Sequence, residues 1–275
     1  MSEGRALSWR RDEAGRLELV LHRPPLNELG EASLGELEAF LPALREPATR
    51  GVLVRSGLPR GFCAGADLRA LLRGLEEGGP GALEQVGAFL RRIGEVLCAL
   101  DEAPVPVVAA VHGPCFGGGL ELVLCCDLVV ADRTARFGFP ELRLGLVPGF
   151  GGTVRAARDL SRSRLRDLLL TGRSLSAEAA REAGLVAQVV AEGQAEPVAR
   201  RALEQATRQD PAALAAAKRL LKPRDPAALG AEREVFLGLL ARPQVLDALR
   251  GFAARQDPLP WLPDAPPPRA PQEVP

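Results

Sequence analysis

The chain of 275 residues has few of the side chains that build metal and redox sites. It contains two histidines and five cysteines, and no pair of cysteines has the C-x-x-C spacing. An odd number of cysteines without metal-ligand spacing predicts reduced, buried thiols, as in a cytoplasmic protein. We therefore expect no metal site, no disulfide framework and a cytoplasmic location.

Charge of one sign and long apolar runs are also missing. The 35 basic and 35 acidic residues balance, which gives no electrostatic reason to expect nucleic acid or an anionic membrane as a partner. Residues 1–12 are polar and charged, unlike a secretory signal. The apolar run 105–111 is too short to span a membrane and fits a buried strand. Neither nucleic acid nor a membrane is an expected partner.

Several well-known motifs are absent as well. There is no G-x-x-x-x-G-K-[ST] loop, and the glycine-rich segment 148–153 does not match G-x-G-x-x-G. No G-x-S-x-G elbow occurs, and a Ser/His/Asp triad would need His22 or His112. His112 ends an apolar strand pattern, which is more typical of a satisfied core histidine. These absences argue against triphosphate, dinucleotide and serine-hydrolase sites.

Strand and helix patterns alternate as far as residue 192, which predicts an α/β fold with parallel strand pairing. Strands are predicted at 7–10, 17–21, 51–56, 105–111, 128–131, 135–138 and 185–190. Helices are predicted at 34–44, 66–72, 82–100, 118–125 and 155–170, with Ser176 capping another. This alternating part, 1–192, is interpreted as the core of the protein, and the candidate active site is expected within it.

The rest of the chain has a different character. Helical patterns alone follow, at 196–208, 211–221 and 231–252. Residues 257–275 carry eight prolines and predict an irregular tail. The chain is therefore divided into a core (1–192), a helical region (193–256) and a tail (257–275).

Two loops of small residues each follow a predicted strand of the core. One is Phe62–Asp67 (FCAGAD), and the other is Gly117–Gly119. Ligand sites collect at the carboxyl ends of parallel strands, and glycine lets a backbone approach a ligand closely. Backbone amides from two such loops that point at one oxygen would form an oxyanion hole.

Two glutamates stand beside the second loop. Glu121 follows the glycines, and Glu141 follows Pro140 twenty residues later. Carboxyl groups at an anion site suggest acid–base chemistry on a substrate whose oxygen gains negative charge. Structural interpretations stay open: tight packing for the glycines, a helix-dipole contact for Glu121, a helix start for Glu141 and a helix cap for Asp67.

Taken together, these motifs resemble the enoyl-CoA hydratase/isomerase (crotonase) family over 17–257. The resemblance rests on GFCAGADL at 61–68, PVVAAVHGPCFGGGLELVLCCD at 106–127, FGFPE at 137–141 and GLVPGFGGT at 145–153, in that order. It implies a crotonase-like spiral of β-β-α repeats. It also implies that the all-helical C-terminal region is an oligomerisation region, so the expected assembly is a homotrimer or a dimer of trimers.

The resemblance also implies an acyl-CoA substrate and a set of site residues. The amides of Ala64 and Gly118 would hold the thioester oxygen. Glu121 would deprotonate water, and Glu141 would deliver a proton to C2. Coenzyme A is part of the substrate, so no separate cofactor is expected. The remaining substrate-binding positions are Gly65, Ala66, Asp67, Gly117, Gly149, Phe139, Phe150, Phe252 and Arg255.

The activity implied is that of an enoyl-CoA hydratase, a hydro-lyase. The alternatives are a delta-isomerase, a pathway-specific dehydratase or hydratase of a branched acyl-CoA, and an idle acyl-CoA-binding protein. Retention of both glutamates favours hydration, because isomerisation can use one. Phe139 and Phe150 stand where many hydratases carry smaller or polar residues, so they either reshape the acyl pocket or simply pack. Arg255 replaces a usual lysine and could pair with a phosphate of a neighbouring subunit's CoA.

Overall fold

The computed structural model describes residues 2–3, 6–255 and 257, and in this part the chain forms ten strands and eleven α-helices. The strands are β1 (Ser2–Glu3), β2 (Leu7–Arg11), β3 (Arg16–Leu21), β4 (Gly51–Ser56), β5 (Val107–Val111), β6 (Pro114–Phe116), β7 (Leu128–Asp132), β8 (Arg136–Gly138), β9 (Ser174–Ser176) and β10 (Gln188–Val190). The helices are α1 (Glu31–Arg45), α2 (Leu68–Glu77), α3 (Ala82–Asp101), α4 (Gly118–Val123), α5 (Gly152–Asp159), α6 (Arg162–Thr171), α7 (Ala177–Glu182), α8 (Ala195–Ala206), α9 (Pro211–Leu221), α10 (Pro226–Leu240) and α11 (Pro243–Ala253). The predicted tail, apart from Asp257, lies outside the described residues.

Two sheets organise the core. The larger has the order β1-β2-β3-β4-β5-β7-β10 and is antiparallel up to β3 and parallel from β3 to β10. The smaller has the order β6-β8-β9. The chain twice leaves the large sheet for the small one, from β5 to β6 and from β7 to β8, before it turns into helices. This repeated path confirms the predicted β-β-α spiral, the parallel pairing and the β2–β3 hairpin.

The large sheet is buried on both faces, which explains its continuous apolar strands. Successive side chains of a strand point to opposite faces, so Val52 and Val54 join the main core. Leu53, between them, joins a second cluster with Ala199 and Leu203 of α8. The predicted apolar spacing of α1 also lies in the main core, with Leu34, Leu37, Phe40 and Leu44 buried.

Two helices that the periodicity predicted as continuous are each broken. The pattern 155–170 contains α5 and α6, and Ser161 caps α6 by accepting a hydrogen bond from the Arg164 amide. The pattern 231–252 contains α10 and α11, and Pro243 stands in the first turn of α11. Apolar periodicity continues through such a break, so only the residues at the helix start, Ser161 and Pro243, indicate where the second helix begins. The short strand β9 was not predicted either.

The thiols and the histidine follow their predictions only in part, because Cys98 and His112 are partly buried. The five cysteines are free, and four of them are buried. The Nε2 atom of His112 lies 2.8 Å from the Leu58 carbonyl oxygen, so this half-buried ring has a protein partner. Among the described residues, no helix is long and apolar enough to cross a membrane.

Candidate active site

A cavity of about 230 Å³ lies where the two predicted loops meet α2, α3 and the C-terminal helices. Its wall is mostly apolar, with Leu71, Val86, Phe89 and Phe236 among the lining side chains. The predicted site residues found in the wall are Ala64, Gly65, Ala66, Asp67, Gly117, Gly118, Glu121, Glu141, Gly149, Phe150 and Phe252. Residues far apart in the sequence thus meet at one cavity.

Two predicted substrate-binding residues are not brought to this wall. Phe139 is fully buried and packs in the main core, which corrects the prediction that it lines the acyl pocket. Arg255 is exposed just after α11, where its carbonyl oxygen accepts a hydrogen bond from Nη2 of Arg69 (3.1 Å). Its expected partner belongs to a neighbouring subunit, so its role stays a prediction.

Two amides of the first loop are unpaired among the described residues, and neither is the predicted one. The Ala64 amide donates to the Leu26 carbonyl oxygen (2.9 Å), and the Asp67 amide donates to the Leu29 carbonyl oxygen (2.9 Å). The amides of Gly65 and Ala66, between them, have no acceptor in the part of the chain that the structure describes. An unpaired N–H in a cavity wall is available to a ligand. Of the two, the Ala66 nitrogen is the one that lies beside Gly118, so the structure replaces Ala64 by Ala66 as the donor of this loop.

In the second loop, the amide that lies closest to Ala66 and has no acceptor among the described residues is that of Gly118. The Gly117 amide donates to the Gly138 carbonyl oxygen (2.9 Å), whereas Gly118, in the first turn of α4, has no intrahelical acceptor. A Cβ atom built on Gly118 would lie 3.4 Å from the nitrogen of Ala66, so the two amides are neighbours. A β-bridge of backbone hydrogen bonds between Cys63 and Cys115 joins the first loop to β6, directly before the second loop. Two donors from separate loops are thus placed to bind one oxygen.

Neighbouring atoms lie so close to the backbone of the second loop that side chains would not fit there. Gly117 has φ +48°, and a Cβ atom there would lie 2.6 Å from Oε1 of Glu141. A Cβ atom on Gly119 would lie 2.5 Å from the Cys63 carbonyl oxygen. Both distances are too short for a side chain. The packing interpretation of these glycines is therefore confirmed, and the unpaired Gly118 amide remains available to a ligand.

Glu121 lies in the first turn of α4 and is only 2% exposed. Its Oε1 accepts hydrogen bonds from the amides of Phe150 (2.7 Å) and Gly152 (2.8 Å) at the start of α5. Burial raises the pKa of Glu121 well above its ordinary value, and the negative charges of Glu232 and Glu141 raise it further. The two amides oppose this rise, because they favour the ionised form.

Glu141 begins a short 3₁₀ helix directly after Pro140. Its Oε2 is shielded from solvent and has no hydrogen-bond partner among the described residues. Burial, with a contribution from the charge of Glu232, raises the pKa of Glu141 to about 8. At neutral pH this carboxyl group is therefore mostly protonated and can donate a proton.

A third glutamate close to this site was missed by the sequence reasoning. Glu232 of α10 is 6% exposed, and its two oxygens accept hydrogen bonds from the amides of Gly151 (2.6 Å) and Thr153 (2.7 Å). The Thr153 hydroxyl also donates to it. Glu232 shares the buried stripe of α10 with Phe236 and Leu240. A carboxyl group at the i, i+4, i+8 spacing of an apolar stripe was the signal that could have found it.

Comparison with known proteins identifies the family of the chain. The model of the enoyl-CoA hydratase/isomerase family matches residues 11–258. The 2,3-dehydroadipyl-CoA hydratase of Escherichia coli (strain K12) is 36% identical over 246 residues, which cover 87% of this chain and 92% of that protein. The fatty acid oxidation complex subunit alpha of Vibrio vulnificus (strain CMCP6) is 40% identical over 191 residues, 68% of this chain, and the match spans only 26% of that longer protein.

Solved structures share the fold. The crystal structure of an enoyl-CoA hydratase from Bacillus halodurans superposes with a TM-score of 0.80 at 23% identity, covering 89% of this chain and 99% of that one. At this identity the likeness concerns the fold alone. The family match, by contrast, includes nearly the whole described chain together with both loops and with Glu121, Glu141 and Glu232. The chain belongs to the enoyl-CoA hydratase/isomerase family.

Proposed function

We propose that the protein is an enoyl-CoA hydratase, which adds water reversibly across the 2,3 double bond of an enoyl-CoA thioester. The observation that supports this function is the meeting of four groups at one apolar cavity: the carboxyls of Glu121 and Glu141 and the unpaired amides of Ala66 and Gly118. Water addition needs a base, an acid and a site for negative charge, and this set supplies each of them.

The two amides would hold the thioester oxygen. When hydroxide adds to C3, the electrons of the double bond move toward the carbonyl, and its oxygen becomes enolate-like. The amides of Ala66 and Gly118 then bind that oxygen more strongly than they bind the substrate. A donor of this kind contributes about 10²–10³-fold in rate.

The two carboxyls would divide the proton transfers. Glu121 is held by two amide donors and Glu141 by none on its Oε2, so the ionised form is better stabilised at Glu121. Glu121 takes a proton from water as the water oxygen bonds to C3, and Glu141 gives its proton to C2. Exchange with solvent after product release returns both groups to their starting states.

The family and its named members support hydration as the reaction. The Escherichia coli relative is named as a hydratase of 2,3-dehydroadipyl-CoA. The mechanism uses only main-chain amides and carboxyl groups of this chain. We therefore expect a metal chelator to leave the rate unchanged.

A hydration assay with two isosteric variants tests the proposal. With crotonyl-CoA as substrate, Glu121→Gln and Glu141→Gln should each lower kcat by about 10²–10⁴-fold, because each removes one proton-transfer group. Binding of a saturated acyl-CoA should survive within about threefold, since neither change removes an amide donor. The exposed Glu84 of α3 offers a matched control, Glu84→Gln.

Normal hydration by both variants would contradict the proposal. Mass spectrometry and chromatography of the products from a 3-enoyl-CoA separate the main alternative. An isomerase would release the 2-enoyl-CoA as its end product, whereas the proposed enzyme converts only the 2-enoyl-CoA, to the 3-hydroxyacyl-CoA.

We further infer that the protein assembles as a homotrimer or as a dimer of trimers. Leu220 and Leu221 at the end of α9 are 84% and 74% exposed, and Val235 of α10 is 52% exposed. Large apolar side chains exposed on neighbouring C-terminal helices suit a surface that another subunit covers.

A further inference from the structure

Two buried carboxyls share the amides of one helix start. Four successive amides, those of residues 150–153, alternate between them. The amides of Phe150 and Gly152 donate to Glu121, and those of Gly151 and Thr153 donate to Glu232. Glu121 comes from the core and Glu232 from the C-terminal helices, so the turn is held from two sides.

This turn has little stiffness of its own. Three of the residues 149–152 are glycines, and Gly151 has φ +100°. The first amides of a helix have no intrahelical acceptor, and an unmet buried N–H is costly. The side chain of Glu232 satisfies two of these amides and the Thr153 hydroxyl. Without it, nothing else in the described chain would fix Gly151 and Thr153 in this way.

We propose that Glu232 is a positioning residue for the hydration site, which holds the 150–153 turn in place around Glu121 and keeps a second negative charge beside it. Glu232 is absent from the cavity wall, so it acts through the turn and not on the substrate. The inference rests on the proposed function, because Glu121 is the group that it positions.

The charged groups around Glu121 determine the expected pH effect. Glu141 and Glu232 face it as negative groups. On α5, Arg155 donates to the Phe150 carbonyl oxygen (2.8 Å) and pairs with Asp101 of α3 (3.3 Å). Just after α4, the Cys125 thiol donates to the main-chain carbonyl oxygen of Glu121 (3.2 Å). Removing the charge of Glu232 lowers the pKa of Glu121, so the rise of kcat/KM with pH should move to lower pH.

Three variants test the positioning role through crotonyl-CoA hydration as a function of pH. Glu232→Gln keeps the size but loses the charge, and it puts an amide N–H₂ against an N–H donor. We expect kcat to fall about 10–100-fold, KM to change less than about threefold and the acidic limb of kcat/KM to move to lower pH. Glu232→Asp should restore the position of the limb and part of kcat. Glu234→Gln, on the exposed face of the same helix, should match the parent protein.

Two results would overturn the proposal. One is a folded Glu232→Gln protein with the parent kcat and pH profile. The other is a loss of kcat with an unmoved limb and no rescue by aspartate, which marks a merely structural residue. If Glu232→Gln does not fold, Thr153→Val removes only the hydroxyl donor. It should then lower kcat roughly threefold or more, and an unchanged kcat would overturn the role.

A second readout separates this inference from the proposed function. If the parent protein hydrates no enoyl-CoA, the proposed function fails, and the carboxyl ¹³C resonance of Glu121 is titrated instead. Its assignment comes from Glu121→Gln. A lower midpoint in Glu232→Gln than in the parent supports the positioning role, and equal midpoints overturn it. Where that variant does not fold, amide hydrogen exchange at Gly151 and Thr153 is compared between the parent and Thr153→Val; faster exchange in the variant supports the positioning role, and equal exchange overturns it.

Discussion

At the scale of single residues, identical carboxyl groups acquire different tasks from their partners. Glu121 receives two main-chain N–H groups on one oxygen, whereas Oε2 of Glu141 receives no hydrogen bond from the described residues. Glu121 is buried and Glu141 is partly buried, and removal from water raises both pKa values. The amide donors favour the charge on Glu121, so the proton of the pair belongs to Glu141.

The pH dependence of turnover should reveal Glu141 as the acid. Its pKa of about 8 means that the proton donor is lost as the pH rises through that value. We expect kcat for hydration to fall about tenfold for each pH unit well above it. The measurement is kcat between about pH 6 and about pH 10, and Glu141→Gln should lack this limb. A flat parent profile on both sides of about pH 8 would contradict the assignment.

Phe150 offers a test of acyl preference. Its ring lies against Gly118, where a Cβ atom would be 2.8 Å from Cε2, and meets the Phe89 ring edge-on at 5.9 Å. Phe150→Ala should widen the cavity and raise the kcat/KM ratio of a longer enoyl-CoA to crotonyl-CoA about tenfold or more, while the residue's amide still holds Glu121. The matched control is Phe139→Leu in the core, which should lower stability without changing the ratio. An unchanged ratio in Phe150→Ala would contradict the prediction.

At the scale of elements, one buried carboxylate joins the sheet to the first C-terminal helix. Glu18 of β3 accepts hydrogen bonds from Arg10 of β2 (2.7 Å), from Arg55 of β4 (2.5 Å) and from Arg200 of α8. Burial opposes its charge, but the hydrogen bonds of Arg55, Arg10 and Arg200 outweigh burial and lower the pKa of Glu18 to about 2. This ion cluster connects the large sheet to α8, which covers that face of the sheet.

Loss of that carboxylate should destabilise the protein in a pH-dependent way. We expect Glu18→Gln to lower the free energy of unfolding by about 2 kcal/mol near neutral pH. Because the folded pKa is depressed, this stabilisation is present above the ordinary value of 4.5 and is lost as the pH falls toward about 2. Urea unfolding of both proteins measures it, with the exposed Glu13→Gln as the control. An equal difference at neutral and strongly acidic pH would argue against the cluster as its cause.

At the scale of the whole molecule, the C-terminal helices contribute to the cavity and also expose apolar surface. Phe236 of α10 and Phe252 of α11 line the cavity wall. Leu220 and Leu221 point away from the core, at the end of α9. A single chain therefore completes one wall of the site and leaves a surface that suits contact with another subunit.

The assembly can be tested by mass in solution. Multi-angle light scattering should give three or six chains for the parent protein. Leu220→Glu with Leu221→Glu should shift it toward monomers, because burying two added charges in an apolar contact is unfavourable. Leu170→Glu, equally exposed on α6 but outside the C-terminal helices, is the control for added charge. A monomeric parent protein would refute the inferred trimer.

Local features were predicted from the sequence because their causes are local. The apolar run of β4, the hairpin before β3 and the Ser176 cap depend on neighbouring residues, and each occurs as predicted. The glycine run and the two glutamates stand in motifs with fixed gaps, so Gly118, Glu121 and Glu141 could be placed at one site. The positions of the helix breaks were not predicted, because apolar periodicity runs through a cap.

Contacts between distant segments were decided only by the tertiary structure. Whether Ala64 or Ala66 offers a free amide depends on carbonyls of the segment near Leu26, which no local pattern reveals. Glu232 becomes part of the site because α10 packs against α5, and Phe139 leaves it because its ring enters the core. The sequence by itself determined which chemical groups exist and their local conformation. The fold determined which of them are already paired, since hydrogen-bond partners and burial arise only when remote segments meet.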